Sequence, residues 1–368
     1  MKFIDLARGY ERYGGEIEEA VVRVLRSTRY ILGPEVAALE EELARFVGVS
    51  RAVGVSSGTD ALLLILKALE LPPGSKVITP SFTFVATAEA IRRAGLVPHF
   101  VDIDPRTYNL SPEAVEEALR RHPGEISAVI AVSLFGLPAD FEALERLSRE
   151  YGVVLVEDAC QSFGAEFAGR RSGSFGRAAA TSFFPAKPLG GAGDGGMVFT
   201  GDEVLAERVR ALRMHGQTRN YYYEYAGING RLDEIQAAIL RVRFRHFEEE
   251  LRLRERVAGK YRRALADIPG LVLPHVPPGY RSSWAQFTVR VPGRDELRAR
   301  LSERGIPTMV YYPHPLHLQP IFRDLGFGEG SLPETEKAAR EVLSLPMHPY
   351  LTDEEIALVA ETIREFYR

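Results

Sequence analysis

Six lysines occur in the chain, at positions 2, 67, 76, 187, 260 and 337, and one of them is placed unlike the rest. Lys187 stands in SFFPAKPLGGAGDGGMVF, between Pro185 and Pro188, after an apolar run and before a glycine-rich one. Proline on both sides opposes a helix and fixes the local backbone, which suits a side chain that must be aimed. The alternative is a solvated loop lysine. A second element is VVLVEDACQSFGA, an apolar strand that ends in Glu157 and Asp158. Ligands of a parallel sheet bind beyond the carboxyl ends of its strands, so Asp158 stands where a ligand-facing carboxylate would be. Such a carboxylate can hold a proton on a pyridinium nitrogen and so sustain an electron sink. It can equally be an ordinary strand-end acid or a helix N-cap.

The third element is VGVSSGTDALLLIL, which reads as a strand, a Ser/Gly/Thr turn and an apolar helix. Amides at that helix N-terminus, with Gly58 and the Thr59 hydroxyl, make a natural phosphate cup. Capping by Ser57 or Thr59 is the simpler reading, and the two are compatible. Gly191, Gly193 and Gly196 satisfy GxGxxG. They are not expected to bind a dinucleotide, because a strand-like MVFT follows where that motif must open a helix. Here the glycines give the backbone room to turn beside the lysine.

Around these elements, short Val/Ile-rich runs alternate with helical patterns from about residue 50 to 200, which predicts βα units and a mainly parallel sheet. Strands are expected near 52–56, 76–79, 97–102, 128–133, 153–157, 180–183 and 197–200. Ser111 and Pro112 read as N-cap and first helical residue. A charged helical stretch from Leu232 to about Ala266 reads as a solvated connecting helix. Beyond it, a strand near 284–291 and two helical patterns suggest a compact second unit. The expected division is a large cofactor-binding domain over 1–245 and a small C-terminal domain over 246–368.

At 368 residues the chain can bury a substantial core, and its 45% hydrophobic and 26% charged residues are ordinary for a globular protein. A net charge of -4 gives no field to attract a polyanion, so nucleic acid is not an expected partner. The single cysteine, Cys160, rules out an intrachain disulfide and fits a reducing, cytoplasmic setting. The N-terminal MKFIDLARGYERYGG lacks the apolar run of a signal peptide, and Ala61 to Leu66 falls far short of the roughly 20 residues of a membrane span, so no membrane is expected.

With SSGTDAL, EDACQSFGA, SFFPAKPLGGAGDGG and GINGRLDEIQAA in this order, the chain resembles the DegT/DnrJ/EryC1/StrS family of sugar aminotransferases. The likeness extends from FIDL at Phe3 and RYILGPEV at Arg29 to YYPHPLHLQ at Tyr311. It implies the fold-type I architecture of enzymes dependent on pyridoxal 5'-phosphate (PLP): a mixed, mostly parallel α/β sheet with helices on both faces, a small C-terminal α+β domain, and a homodimer with shared active sites. By the same resemblance, Lys187 matches the Schiff-base lysine and proton shuttle, Asp158 the partner of the pyridine nitrogen, and Gln161 the residue beside the ring hydroxyl. Gly58, Thr59 and Ser182 match phosphate-binding positions. Asn229 matches an asparagine reaching the phosphate from the neighbouring subunit, and Phe84 an aromatic residue against the ring, with a core aromatic as its alternative.

The resemblance implies ping-pong transfer of an amino group from L-glutamate, leaving 2-oxoglutarate, through pyridoxamine 5'-phosphate to a keto sugar carried on a nucleotide, for polysaccharide or other amino-sugar biosynthesis. Lysine at 187, where one branch of the family has histidine, argues against sugar deoxygenation. QSFGA, FFPAKPLG and GDGG resemble the branch that aminates C3 of UDP- or dTDP-linked 3-keto hexoses or hexuronates. The alternative is a 4-ketone, although 4-keto branches more often have histidine at the position of Phe163 and GEGG where this chain has GDGG. Arg231 could meet a phosphate or uronate carboxylate or form a structural ion pair. Tyr312 matches the family's YP tyrosine, Tyr311 stands where the uronate branch often has histidine, and His215 and His314 are weaker substrate candidates. Three other readings compete: a metal hydrolase built on His314, His317 and His215, although no metal is expected; a nucleophilic Cys160; and a PLP-binding regulator without turnover.

Overall fold

The computed structural model describes residues 1–367. Its centre is a seven-stranded sheet of β1 (Arg51–Val55), β2 (Lys76–Pro80), β3 (Val97–Val101), β4 (Ile126–Val132), β5 (Val154–Asp158), β6 (Ala178–Ser182) and β7 (Gly196–Thr200), in the order β1-β7-β6-β5-β4-β2-β3. Neighbours from β6 to β3 run parallel, and β7 alone is antiparallel to both its neighbours. Each strand expected between residues 50 and 200 is present, with ends that differ by at most two residues.

Strand alternation explains why helices cover both faces. Val53, Val55, Ala128, Ile130, Val156 and Val198 point to one side, where they pack on the apolar helix α3 (Gly58–Ala68) and on α7 (Glu203–Leu212). Ala52, Ala179, Met197 and Phe199 point to the other, against α2 (Pro34–Val47) and α8 (Glu234–Leu265). Farther along that side, Val129, Ala131 and Leu155 meet α5 (Pro112–Arg121) and α6 (Phe141–Tyr151). Ser111 caps α5 through the amide of Ala114, with Pro112 inside the first turn. Truncating a fully buried α3 residue such as Leu64 to alanine would cost about 2–5 kcal/mol.

Two expectations need correction. The helix over 234–265 is not a solvated connector: Ala237, Leu240, Phe247 and Leu251 lie in the core. Several of its charges are paired: Arg241 meets Glu35 and Glu42 on α2, and Arg245 meets Glu16 on α1 (Leu6–Ser27). The C-terminal part is also richer than expected. It holds three helices, α9 (Arg294–Glu303), α10 (Pro333–Glu341) and α11 (Asp353–Phe366), and two antiparallel strands, Phe287–Arg290 and Val342–Leu345. Val257, Tyr261 and Leu265 of α8 enter this second core, so the helix crosses residues 245–246 without a break. Among the described residues no helix is long and apolar enough to cross a membrane.

Candidate active site

A cavity of about 470 Å³ opens at the carboxyl ends of β5 and β6, and most of the residues singled out above converge on it. Gly58, Thr59, Phe84, Asp158, Gln161, Ser182, Lys187, Tyr311 and Tyr312 all line it.

One end is the N-terminus of α3. Ser57, rather than Thr59, is the cap: its hydroxyl accepts from the amide of Asp60 at 3.0 Å. The first amides of a helix have no intrahelical acceptor, so Gly58 and Thr59 present donors to the cavity. Glycine is required at 58 because a Cβ there would lie 2.7 Å from Ser182 Cβ and 2.8 Å from Cys160 Sγ. The glycine run after Lys187 serves the same approach: a Cβ on Gly196 would stand 2.5 Å from the Ser57 carbonyl. That run leads into β7, as expected, and the Ala192 amide is tied to Gln236 of α8 at 2.9 Å.

Asp158 ends β5 and is 5% exposed. Its Oδ2 accepts from Thr87 Oγ1 at 2.8 Å and its Oδ1 from the Cys160 amide at 3.1 Å, which aims the carboxylate while leaving acceptor capacity free. Gln161 is held at both ends: Oε1 accepts from the Phe135 amide and Nε2 donates to the Tyr312 hydroxyl, each at 3.0 Å. Burial pushes the Tyr312 phenol well above its ordinary range, so it stays protonated. Lys187 sits beyond a tight turn in which its amide donates to the Phe184 carbonyl at 2.8 Å, and among the described residues its amine has no ion-pair partner.

Phe84 is 54% exposed, which removes the core-aromatic alternative; it stands at the cavity wall with its ring centroid 6.3 Å from that of Tyr312. Thr87, Phe184, Asp194 and Gln286 line the cavity without having been singled out in the sequence. Gln286 Oε1 is buried there without a hydrogen-bond partner. Thr87, in the first turn of α4 (Ala86–Arg93), carried no local signal, because the carboxylate it meets lies on another element.

Other candidates lie elsewhere. Asn229, Arg231, His215 and His314 do not line this cavity. Asn229, His215 and His314 are exposed, and Arg231, half-buried beside Val55, forms no ion pair among the described residues. Phe163 is packed against Phe199 and Phe247 and is 2% exposed, so its identity reports core packing and not the position of a ketone. His317 is buried and bonded to Ser81 and Glu336, and among the described residues no cluster of three His, Cys, Asp or Glu could hold a metal ion. Burial and the adjacent Asp158 push the Cys160 thiol well up, which opposes a thiolate nucleophile.

The donor set fits PLP in its chemistry. Helix amides and hydroxyls suit a phosphate, a buried carboxylate suits a protonated ring nitrogen, and an unpaired amine suits a carbonyl.

Comparison with known proteins agrees. The family model for DegT/DnrJ/EryC1/StrS aminotransferases matches residues 11–364. The chain is 47% identical over 367 residues to a pleiotropic regulatory protein of Geobacillus stearothermophilus, covering 99% of this chain and 98% of that one. It is 45% identical over 363 residues to UDP-2-acetamido-2-deoxy-3-oxo-D-glucuronate aminotransferase of Pseudomonas aeruginosa, covering 99% of each. The crystal structure of S. venezuelae DesV in complex with a ketimine intermediate superposes with a TM-score of 0.96 at 43% identity, over 100% of this chain and 98% of that one. With a family match across nearly its whole length and a cavity suited to the cofactor, the chain belongs to the DegT/DnrJ/EryC1/StrS aminotransferase family and is a PLP-dependent sugar aminotransferase.

Proposed function

We propose that the protein moves an amino group from L-glutamate to the C3 ketone of a UDP- or dTDP-linked 3-keto hexose or hexuronate. The observation that carries this reading is the pairing of Lys187 and Asp158 on one cavity wall, in a chain 45% identical to a 3-oxo sugar aminotransferase. The Geobacillus relative's name raises regulation as a second reading; the lysine, carboxylate and anion cup, all present together, favour turnover.

The residues divide the work. Bound PLP supplies the carbonyl that takes up the amino group and the ring that accommodates the electron pair left when a carbon–hydrogen bond breaks. Lys187 removes the proton from the donor's α-carbon and, in the second half-reaction, delivers one to C3 of the sugar. Asp158 keeps the ring nitrogen protonated, and Thr87 fixes the carboxylate's direction. The amides of Gly58 and Thr59, with the hydroxyls of Thr59 and Ser182, take the phosphate. Gln161, braced by Phe135 and Tyr312, stands beside the ring hydroxyl, and Phe84 covers the ring. Water supplies the keto oxygen of 2-oxoglutarate as the donor leaves, and in the second half-reaction the sugar's ketone oxygen departs as water, so none is consumed overall.

Asn229 acts in the partner subunit's site, a reading supported by its exposure here next to a hairpin bearing the exposed Tyr221, Tyr222 and Tyr223. Arg231, beside it, takes an anionic substrate group in the same shared site. The proposed division is residues 1–245 for the cofactor and 246–368 for the smaller domain, and the proposed location is the cytoplasm.

The test offers UDP- and dTDP-linked 3-keto and 4-keto sugars to the pyridoxamine form and reads the amino position by NMR. Amination at C3 is expected, and turnover restricted to 4-ketones would overturn the assignment. Lys187→Ala should fold, lose the long-wavelength absorbance of the lysine-bound cofactor and lose activity by about 10³-fold or more.

A further inference from the structure

Lys187 lines a second cavity, of about 370 Å³, and no step above uses the other residues there. Helix α8 contributes Ile239, Arg243, Glu250 and Arg254, whose spacings of 4, 11 and 15 residues keep them on one stripe of the helix. Asp5 before α1, Tyr10 and Tyr13 on it, and the loop residues His348 and Tyr350 complete the polar wall.

The charges do not balance. Two carboxylates line the cavity and both are engaged: Asp5 caps α1 and pairs with Lys2 and Arg8, and Glu250 Oε1 accepts from the hydroxyls of both Tyr13 and Tyr350. Arg243 donates to the Gly190 carbonyl and Arg254 to the Trp284 carbonyl, and among the described residues neither forms an ion pair. Arg254 is 5% exposed and its Nε has no partner; His348 is 2% exposed and its Nε2 has none either. Burial lowers Arg254 only to about 10, so it is charged at neutral pH. Two guanidinium groups, mutually repelling and largely desolvated, form an arrangement that is stabilised by a bound anion.

We propose that this cavity binds the side-chain carboxylate of a dicarboxylic amino donor, with Arg254 and Arg243 as its cationic partners. Lys187 lines both cavities, so the arginine cavity adjoins the place where the proton is removed. Each wall carries two carboxylates, but the first, with Asp158 and Asp194, has no arginine to meet another and is the poorer host. A donor the size of glutamate suits the volume, whereas a nucleotide-linked sugar is much larger. The inference rests on the aminotransferase reading above and adds how the donor is chosen.

The test compares L-glutamate with L-glutamine, which has nearly the same shape without the charge, in single-turnover loss of the long-wavelength absorbance of the holoenzyme. Wild type should prefer glutamate by about 100-fold, a preference of the size expected when a site's charged groups are left unpaired by the wrong substrate. Arg254→Gln should lose about 30-fold or more with glutamate and less than about threefold with glutamine. Equal losses with both donors, or an unchanged glutamate reaction with a slowed sugar half-reaction, would overturn the proposal. Arg243→Gln serves as a second variant should Arg254→Gln not fold. Calorimetry with glutarate, a dicarboxylate that cannot react, separates this proposal from the reading beneath it. A wild type inert to every amino acid would defeat the aminotransferase reading, while weakened glutarate binding in the variants would still support the arginine site and undiminished binding would overturn it.

Discussion

Glu157 and Asp158 are consecutive acids at the end of β5, and strand geometry sends them to opposite faces of the sheet. Glu157 is wholly buried, with Ser133, Ser172 and the Gly173 amide all donating to its carboxylate, and burial pushes its carboxyl up to about 7. Asp158 is bonded to Thr87 and the Cys160 amide and faces the cavity with acceptor capacity to spare. The pair teaches that chemical availability follows from which acceptor sites neighbours leave open, more than from burial, which is similar at the two positions.

The comparison is broken most decisively at the cavity face. Asp158→Asn should lower kcat/KM by about 10²–10³-fold, because the ring nitrogen loses its anionic partner, while the melting temperature stays within about 3 °C. If activity survived intact, Asp158 would be as structural as its neighbour. Glu157→Gln should do the reverse, leaving kcat/KM within about threefold and changing how stability responds to pH. With the folded-state value raised above the ordinary 4.5, Glu157 disfavours the folded state progressively as pH rises from about 4.5 through 7, by up to about 3 kcal/mol. The variant should lose that decline, so urea midpoints between pH 5 and 8 should fall in wild type and stay flatter in Glu157→Gln. The smallest effect is expected from Thr87→Val, which frees the Asp158 carboxylate to rotate: cofactor affinity and kcat should each fall by about 3–10-fold. Equilibrium titration with PLP would reveal an unchanged site if the hydroxyl is incidental.

How much of this was readable beforehand depends on distance along the chain. Lys187, Asp158 and the Gly58–Thr59 cup are each announced by their immediate neighbours: flanking prolines, a strand end, a turn before an apolar helix. Thr87 carries no local mark of its role, because its partner is 71 residues away and only the parallel stacking of β2, β4 and β5 brings them together. The misreading of α8 has the same origin. Its charges look solvated until α1 and α2, some 200 residues upstream, supply Glu16, Glu35 and Glu42. The second cavity was invisible for that reason, since Arg243 and Arg254 look like any others in an arginine-rich helix.

The bond between Gln161 and Tyr312 bears on how such a site can be inherited. One residue follows a sheet strand and the other lies 151 positions later in the C-terminal part, yet together they form one wall of the cofactor's cavity. A recombination event that exchanged the C-terminal part alone would replace Tyr312 along with any new specificity it brought. Lineages that diversify by shuffling would therefore have to preserve that tyrosine in every imported segment, whereas drift in surface loops leaves the contact untouched.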